Sequence, residues 1–303
     1  MRRILGRALA AACLALLAAG CSSLTRVAYN NAAFAGAWAV DDWFDLHDGQ
    51  REWVKERFAR LVAWHRASEL PAYERLLQDT AARAATGLTA DDARRIHGEL
   101  RVLYYRVVRK AIPDMADFLL QVHPEQVAYL ERKFEEDNRR VVKESVKGTP
   151  RERLAARAGR YIERIEDWTG SLSAAQRDLV RARVVMTPDL TDEWMGDRRY
   201  RQAETLALIR VRPTREAAID ALTRLLVDTD SWRRPEYVAK LKSRDEQVFA
   251  MIAALDASLT PEQRGRLHRR LAGYAADVAY LMVANSGRGW LAGPKNGDTD
   301  EHG

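Results

Sequence analysis

Apolar side chains recur at spacings of three and four residues along almost the whole chain, and this periodicity constrains the fold more than any other feature. Such spacing places apolar side chains on one face of an α-helix. The stretches Trp53–Val62 and Ile96–Val107 are typical. No stretch alternates apolar and polar residues as a half-buried strand does, and no Asn-Gly turn joins two apolar runs. The sequence therefore predicts an all-α fold, an elongated multi-helix bundle of about ten helices with capped corners.

Five predicted helix starts share one pattern. An apolar residue is followed by a small polar residue or His, by two further residues, and then by Gln or Asp; apolar side chains recur four and eight positions later. A Gln or Asp at the third helical position can reach back to the N-cap backbone, as in a capping box. Four starts carry Gln, at Gln50, Gln126, Gln176 and Gln263, and the fifth carries Asp92. The starts are unevenly spaced, which argues against a repeat array.

The predicted helices follow from these starts and from the glycines and prolines between them. Pro71 removes a helix hydrogen bond, so the second helix is expected to bend there. The predicted helices span roughly residues 24–46, 48–86, 89–121, 124–147, 150–169, 173–186, 188–209, 214–229, 232–257 and 260–284.

The first twenty residues have the pattern of a secretory signal peptide. Arg2, Arg3 and Arg7 precede the apolar run Ala8–Ala19, which ends in small side chains. The run is shorter than the about 20 apolar residues that a membrane-spanning helix needs. We expect residues 1–20 to be removed, residues 21–284 to form one helical domain, and residues 285–303, rich in Gly and charge, to be a disordered tail.

The residues before Cys21, Leu-Leu-Ala-Ala-Gly, resemble the lipobox of bacterial lipoproteins. The resemblance implies that Cys21 becomes the first residue of the mature chain and carries a diacylglyceryl group. Ser22 follows, not Asp, which in Gram-negative lipoproteins implies the periplasmic face of the outer membrane. Cys13 would be removed, so the mature chain could form no intramolecular disulfide. Ordinary cleavage, or a buried Cys21, are the alternatives.

Two further resemblances concern the mature chain. Tyr29, Asn30, Asn31, Trp38, Asp42, Trp43, Phe44, Leu46, Gln50, Trp64, His65, Arg66, Glu69, Leu70, Pro71 and Tyr73 resemble the opening of a family of Gram-negative lipoproteins of unknown function. That family implies a helical body and a lipid site and no catalytic residue. Leu259–Gln263 matches the LTxxQ motif of small helical periplasmic chaperones, and Leu172–Gln176 nearly matches it. Helix capping alone is the alternative explanation for these Gln residues.

The segment Trp64, His65, Arg66 and Glu69 is the main candidate for a binding or structural motif. His65 and Glu69 lie four residues apart and could face the same way on a helix. They could form a binding spot or an acid–base pair. The alternative is a structural lock at a kinked helix, with Trp64 packed and Arg66 and Glu69 in ion pairs. Trp38 and Trp43 also have two readings, an interfacial position on a bilayer or packing in the core.

The remaining motifs point away from catalysis. The six His residues are scattered without HExxH spacing, so no metal is expected, and GxSxG and phosphate-binding glycine loops are absent. We therefore predict no catalytic residue and no cofactor. The net charge of +6 includes three arginines of the signal peptide, and export excludes nucleic acid as a partner.

These observations predict a protein that is not an enzyme. The expected partners are the membrane, through the lipid, and either unfolded client polypeptides or another envelope component. The alternative is an envelope hydrolase or cell-wall-modifying enzyme without a recognisable motif.

Overall fold

The computed structural model describes residues 22–146 and 148–283, and within them it contains twelve α-helices and no strand. The all-α bundle predicted from the apolar periodicity is therefore confirmed. The predicted signal peptide, Cys21 and the predicted tail lie outside the described residues. The helices are α1 (Ser22–Asn30), α2 (Ala32–Phe44), α3 (Asp48–Ser68), α4 (Leu70–Thr86), α5 (Ala90–Leu119), α6 (Pro124–Val141), α7 (Pro150–Thr169), α8 (Ala174–Val185), α9 (Thr191–Val211), α10 (Arg215–Leu226), α11 (Pro235–Asp256) and α12 (Pro261–Val283).

Two breaks divide segments that the sequence predicts as single helices. Asn31 separates α1 from α2, and Glu69 separates α3 from α4. Pro71 lies in the first turn of α4, where its missing N–H leaves no helix hydrogen bond unmade. The helix expected to bend near Pro71 is thus divided in two at Glu69. A π-helical turn, Val142–Val146, continues α6, and a short 3₁₀ turn, Thr229–Ser231, lies between α10 and α11.

Side-chain caps fix several helix starts. At α5 the Thr89 hydroxyl accepts from the Asp92 N–H at 3.1 Å, and the Asp92 carboxylate accepts from the Thr89 N–H at 3.0 Å. Hydrogen bonds from Thr89 hold the pKa of Asp92 below its usual value. Thr149 and Glu152 make the same exchange at α7. The shared pattern of the five predicted starts does not include this α7 cap.

The helices enclose two main cores. The larger core is shared by α2, α3, α5, α6, α9 and α10, and its buried side chains include Phe44, Ile112, Leu130 and Ile209. The second core joins α7, α8 and α11 around Val180, Val184 and Met251. None of the described helices is long and apolar enough to cross a membrane.

Helices α4 and α12 form the most extensive helix pair and run antiparallel. Leu70 at the start of α4 packs with Leu281 at the end of α12, while Ala84 packs with Leu271 nearer the start of α12. Tyr29 of α1 joins the Leu70–Leu281 cluster. The first described helix is therefore packed against the last one.

Candidate functional site

His65 of α3 lies between Tyr29 of α1 and Tyr73 of α4. Its ring is buried, and its Nδ1 shares a hydrogen bond of 2.8 Å with the Tyr29 hydroxyl of α1. The Tyr73 ring lies 5.5 Å from the imidazole, centroid to centroid. Burial lowers the pKa of His65 to about 4, because the charged imidazolium would lose its hydration. The ring is therefore neutral near pH 7.

The other residues of this predicted motif contact helices α1 and α5. Arg66 donates to the Asn30 side chain at 2.9 Å and lies over the Tyr29 ring, so it binds α1. The buried Glu69 carboxylate faces Arg106 of α5 at 3.5 Å. Lys110 of α5 lies 5.7 Å from the centroid of the Trp64 ring. These contacts join α3 to its neighbours, as a structural lock would. The Glu69 carboxylate faces Arg106, while the Glu69 backbone N–H donates to the His65 carbonyl at 2.9 Å.

The four predicted Gln residues come together as two pairs. In the first pair, Gln50 of α3 and Gln126 of α6 exchange amide hydrogen bonds of 2.7 and 3.1 Å. The Gln126 side chain also accepts from the N–H of His123, at its own helix start, and donates to the carbonyl of Asp45, before the partner helix. Two helix starts that are 76 residues apart in the chain are thus joined.

The second pair repeats this arrangement at the other end of the chain. Gln176 of α8 and Gln263 of α12 exchange hydrogen bonds of 2.9 and 3.0 Å. Gln176 also donates to the Ser258 carbonyl, and Gln263 donates to the Ser171 carbonyl. Each oxygen also accepts from the backbone N–H of its own N-cap, Ser173 or Thr260. Every donor and acceptor of both buried amides is therefore satisfied.

The two pairs differ at the N-caps. His47 and His123 occupy these positions in the first pair, and their ring centroids lie 5.0 Å apart. Ser173 and Thr260 occupy them in the second pair. The structure thus shows that the Gln residues cap their own helices and also connect distant helix starts.

A buried ionic network that the sequence analysis did not identify joins α6 to α9. Arg198 donates to the buried Asp137 carboxylate and, at 2.7 Å, to the Asn138 side chain. Burial lowers the pKa of Arg198 to about 10, which leaves the guanidinium charged at neutral pH. The partners lie about sixty residues apart in the chain, so spacing gives no signal for this pair.

An open groove runs along the surface between α4 and α12. It has a volume of 450 Å³ and is lined mostly by alanine; the residues are Glu74, Gln78, Ala81, Ala82, His268, Ala272, Ala275, Ala276 and Ala279. A second hollow of 360 Å³ adjoins it at His268 and is lined by Ala85, Pro261, Arg264, Gly265 and Arg269. The sequence pattern does not predict this surface, because the surface depends on the pairing of two helices that are far apart in sequence.

The described residues contain no cluster of metal-binding side chains. No three or more His, Cys, Asp or Glu side chains there lie close enough together to hold a metal ion. The titratable side chains of the larger groove are Glu74 and His268. Its chemistry is therefore that of a mostly apolar contact surface with three polar side chains, Glu74, Gln78 and His268, in its lining.

Comparison with known proteins gives a family. A model of a family of unknown function, DUF6279, matches residues 42–238, well over half of the chain. The match extends from the end of α2 to the start of α11 and includes the Gln50–Gln126 pair and the Trp64–Glu69 segment. No curated protein and no solved structure is significantly similar to the chain. The chain belongs to the DUF6279 family, whose function is unknown.

Proposed function

We propose that this protein is a lipoprotein, anchored through Cys21 to the periplasmic face of the outer membrane, and that it acts by binding and not by catalysis. Its partner is a client polypeptide or another component of the envelope. The observation that carries the binding proposal is the open, alanine-lined groove between α4 and α12. The anchoring proposal is supported by the signal-peptide pattern and by the lipobox-like residues before Cys21.

The lining of the groove suits a polypeptide partner. Small side chains such as Ala82 and Ala276 are exposed there and allow the backbone of a bound segment to come close. An amphipathic helix could place its apolar face in such a groove. Glu74, Gln78 and His268 could provide polar contacts within a lining that is otherwise alanine. Catalysis in the groove would instead require a nucleophile or an acid–base pair that converges on a bound substrate.

The rest of the fold supports a binding role by holding the groove in place. The Gln176–Gln263 pair fixes the start of α12 against α8, and Arg264 donates to the Ala84 carbonyl at the end of α4. Both walls of the groove are therefore fixed at one end by buried hydrogen bonds. A preformed surface of this kind binds without losing conformational entropy of its own backbone.

An aggregation assay tests the proposal. We expect the mature chain with Cys21→Ala to slow the aggregation of an unfolded model protein at an equimolar ratio. Ala276→Phe fills the groove with a bulky side chain and should abolish this effect. Val211→Phe, at an exposed position near the end of α9, is the matched control and should retain it.

Two outcomes of the assay contradict a polypeptide client. One is that the unsubstituted protein has no effect, and the other is that the groove variant is as active as the control. A photo-crosslinker at Ala82 or Ala276 in whole cells then tests an envelope partner. Adducts should form from these positions and be absent when the crosslinker is at Val211. Crosslinking that does not depend on position would contradict binding in the groove.

A further inference from the structure

An exposed apolar stripe runs along α1 and α2, on the side that faces away from the bundle. Leu24, Val27, Phe34 and Trp38 have exposed fractions of 52%, 56%, 67% and 46%. Tyr29 and Ala37, on other faces of the same helices, are buried. Large apolar side chains exposed on one face of successive helices mark an interaction surface, and the exposed Asn31 lies between the two halves of this one.

The break at Asn31 does not interrupt the stripe. The Asn31 N–H donates to the Val27 carbonyl at 3.1 Å, and the Ala35 N–H donates to the Asn31 carbonyl at 2.9 Å. These four-residue hydrogen bonds carry the helical turn through the break. The spacing from Leu24 to Trp38 therefore keeps the four side chains on one face.

The stripe lies in a segment that is nearly free of charge. Between Ser22 and Val40 the one charged residue is Arg26, in a chain whose residues are 30% charged. Arg26 is directed away from the stripe, because it donates to the buried Asp277 carboxylate of α12 at 2.8 Å. A surface without charge is suited to the interior side of a membrane interface, and Trp is enriched at that depth.

The orientation of the stripe relative to the body is fixed. The Arg26–Asp277 ion pair, the Tyr29–His65 hydrogen bond and the Asn30–Arg66 hydrogen bond all hold α1 against the bundle. The helix that follows the lipid site is thus packed against the body along its length. Contact of this face with a bilayer would therefore also orient the groove between α4 and α12.

The stripe begins close to the proposed lipid site. Leu24 is three residues after Cys21, and three residues span at most about 11 Å even when fully extended. A lipid at Cys21 would hold this point of the chain at the headgroup level. The first exposed apolar side chain of the stripe is therefore within reach of that level.

We propose that Leu24, Val27, Phe34 and Trp38 insert into the headgroup–acyl boundary of the membrane that holds the Cys21 lipid. The body is then docked against the bilayer along α1 and α2. This inference rests on the lipid anchor of the proposed function. It adds a second membrane contact, made by the protein itself, and it is independent of what the groove binds.

Fluorescence quenching tests the docking. The acylated full-length mature chain is placed in phosphatidylcholine vesicles with or without bromine on the acyl chains, since bromine quenches tryptophans at the membrane boundary. We expect the brominated vesicles to reduce the fluorescence, and Trp38→Phe to remove most of that reduction. Trp232→Phe is the matched control, because Trp232 stacks on Tyr200 and is not part of the stripe. It should retain the reduction.

A second variant keeps Trp38 and changes the stripe. The double substitution Val27→Glu and Phe34→Glu should abolish the quenching while the helical circular dichroism stays unchanged, because both positions are exposed. Equal quenching in the unsubstituted chain and in Trp38→Phe, or no quenching at all, overturns the inference. Quenching that appears only after truncation at Val283 would mean that residues 284–303, and not the bilayer, cover the stripe in the full chain. A dimer that forms without quenching would mean that a second copy of the chain covers the stripe.

Palmitate labelling of the same preparations separates the two proposals. Labelled Cys21 without quenching means that the anchor stands and the docking is wrong. No label on Cys21 means that the anchor is wrong, and the docking, which depends on it, falls as well.

Discussion

Gly36 shows at the scale of one residue how closely α2 approaches α3. A Cβ at this position would lie 2.5 Å from ring carbons of Phe58, closer than the ring can tolerate without moving. Gly36→Ala should therefore destabilise the fold by roughly 1–3 kcal/mol through overpacking. Urea unfolding measures this free energy.

A second glycine provides the control for Gly36. A Cβ at Gly98, on an exposed turn of α5, would meet no atom within 4 Å. Gly98→Ala should stabilise the protein by about 0.5–1 kcal/mol, because alanine loses less backbone entropy than glycine in a helix. Equal effects of the two substitutions would contradict the close approach at Gly36.

His65 predicts a pH dependence at the same scale. Its pKa is about 4 in the folded protein and 6.5 when unperturbed, so the unfolded chain binds the proton more tightly. The contribution of the neutral His65 ring to the free energy of unfolding is complete above pH 6.5 and is lost progressively as the pH falls towards 4. Between pH 7 and pH 5 the loss is roughly 2 kcal/mol.

Substitution isolates the His65 contribution from that of other groups. The free energy of unfolding of His65→Gln should fall less between pH 7 and pH 5 than that of the unsubstituted protein. Val211→Gln, at an exposed position and without loss of a titratable group, should leave the pH dependence unchanged. If His65→Gln and the unsubstituted protein show the same dependence, His65 is not buried as a neutral ring.

At the scale of the helix, the sequence predicts the Gln residues at helix starts but not their partners. Capping is local and can be read from four consecutive residues, whereas Gln176 meets Gln263 across 87 residues. The side-chain chemistry gives one signal that the Gln residues pair. A Gln amide both donates and accepts, so two can pair, while the carboxylate of Asp92 only accepts and binds Arg83 instead. The four Gln starts pair, and the Asp start does not.

A double-mutant cycle measures the second pair. Gln176→Leu and Gln263→Leu should each cost roughly 1–3 kcal/mol, because each leaves the partner amide buried and unsatisfied. The double variant should cost less than the sum, by about 1 kcal/mol or more. Gln247→Leu, at a half-buried position outside the pair, is the control and should have little effect. Additive costs for Gln176 and Gln263 would contradict a direct pair.

At the scale of the whole molecule, the sequence predicts the fold class and most helix boundaries, because apolar periodicity and caps are local. The arrangement of helices is not local. The antiparallel packing of α4 on α12 rests on contacts such as Leu70 with Leu281, and the Arg26–Asp277 ion pair joins residues 251 apart. The groove and the fixed orientation of the apolar stripe both arise from such contacts, so neither could be predicted from the sequence.

The proposed anchor links these surfaces to one place in the cell. A lipid at Cys21 would hold the stripe of α1 and α2 at the membrane and leave the groove as a separate binding surface. The hydrogen bonds of the Gln pairs and of His65 with Tyr29 keep the helices that carry both surfaces in fixed positions. The proposed placement of both surfaces therefore depends first on the modification of Cys21.

Incorporation of labelled palmitate tests this central claim most directly. Cells that express the full chain should yield a labelled protein in the outer-membrane fraction, and Cys21→Ala should abolish the label and release the protein into the soluble periplasm. Ser22→Ala, next to the proposed lipid site, should keep the label. An unlabelled full chain, or a Cys21→Ala variant that remains attached to the membrane, would contradict the account.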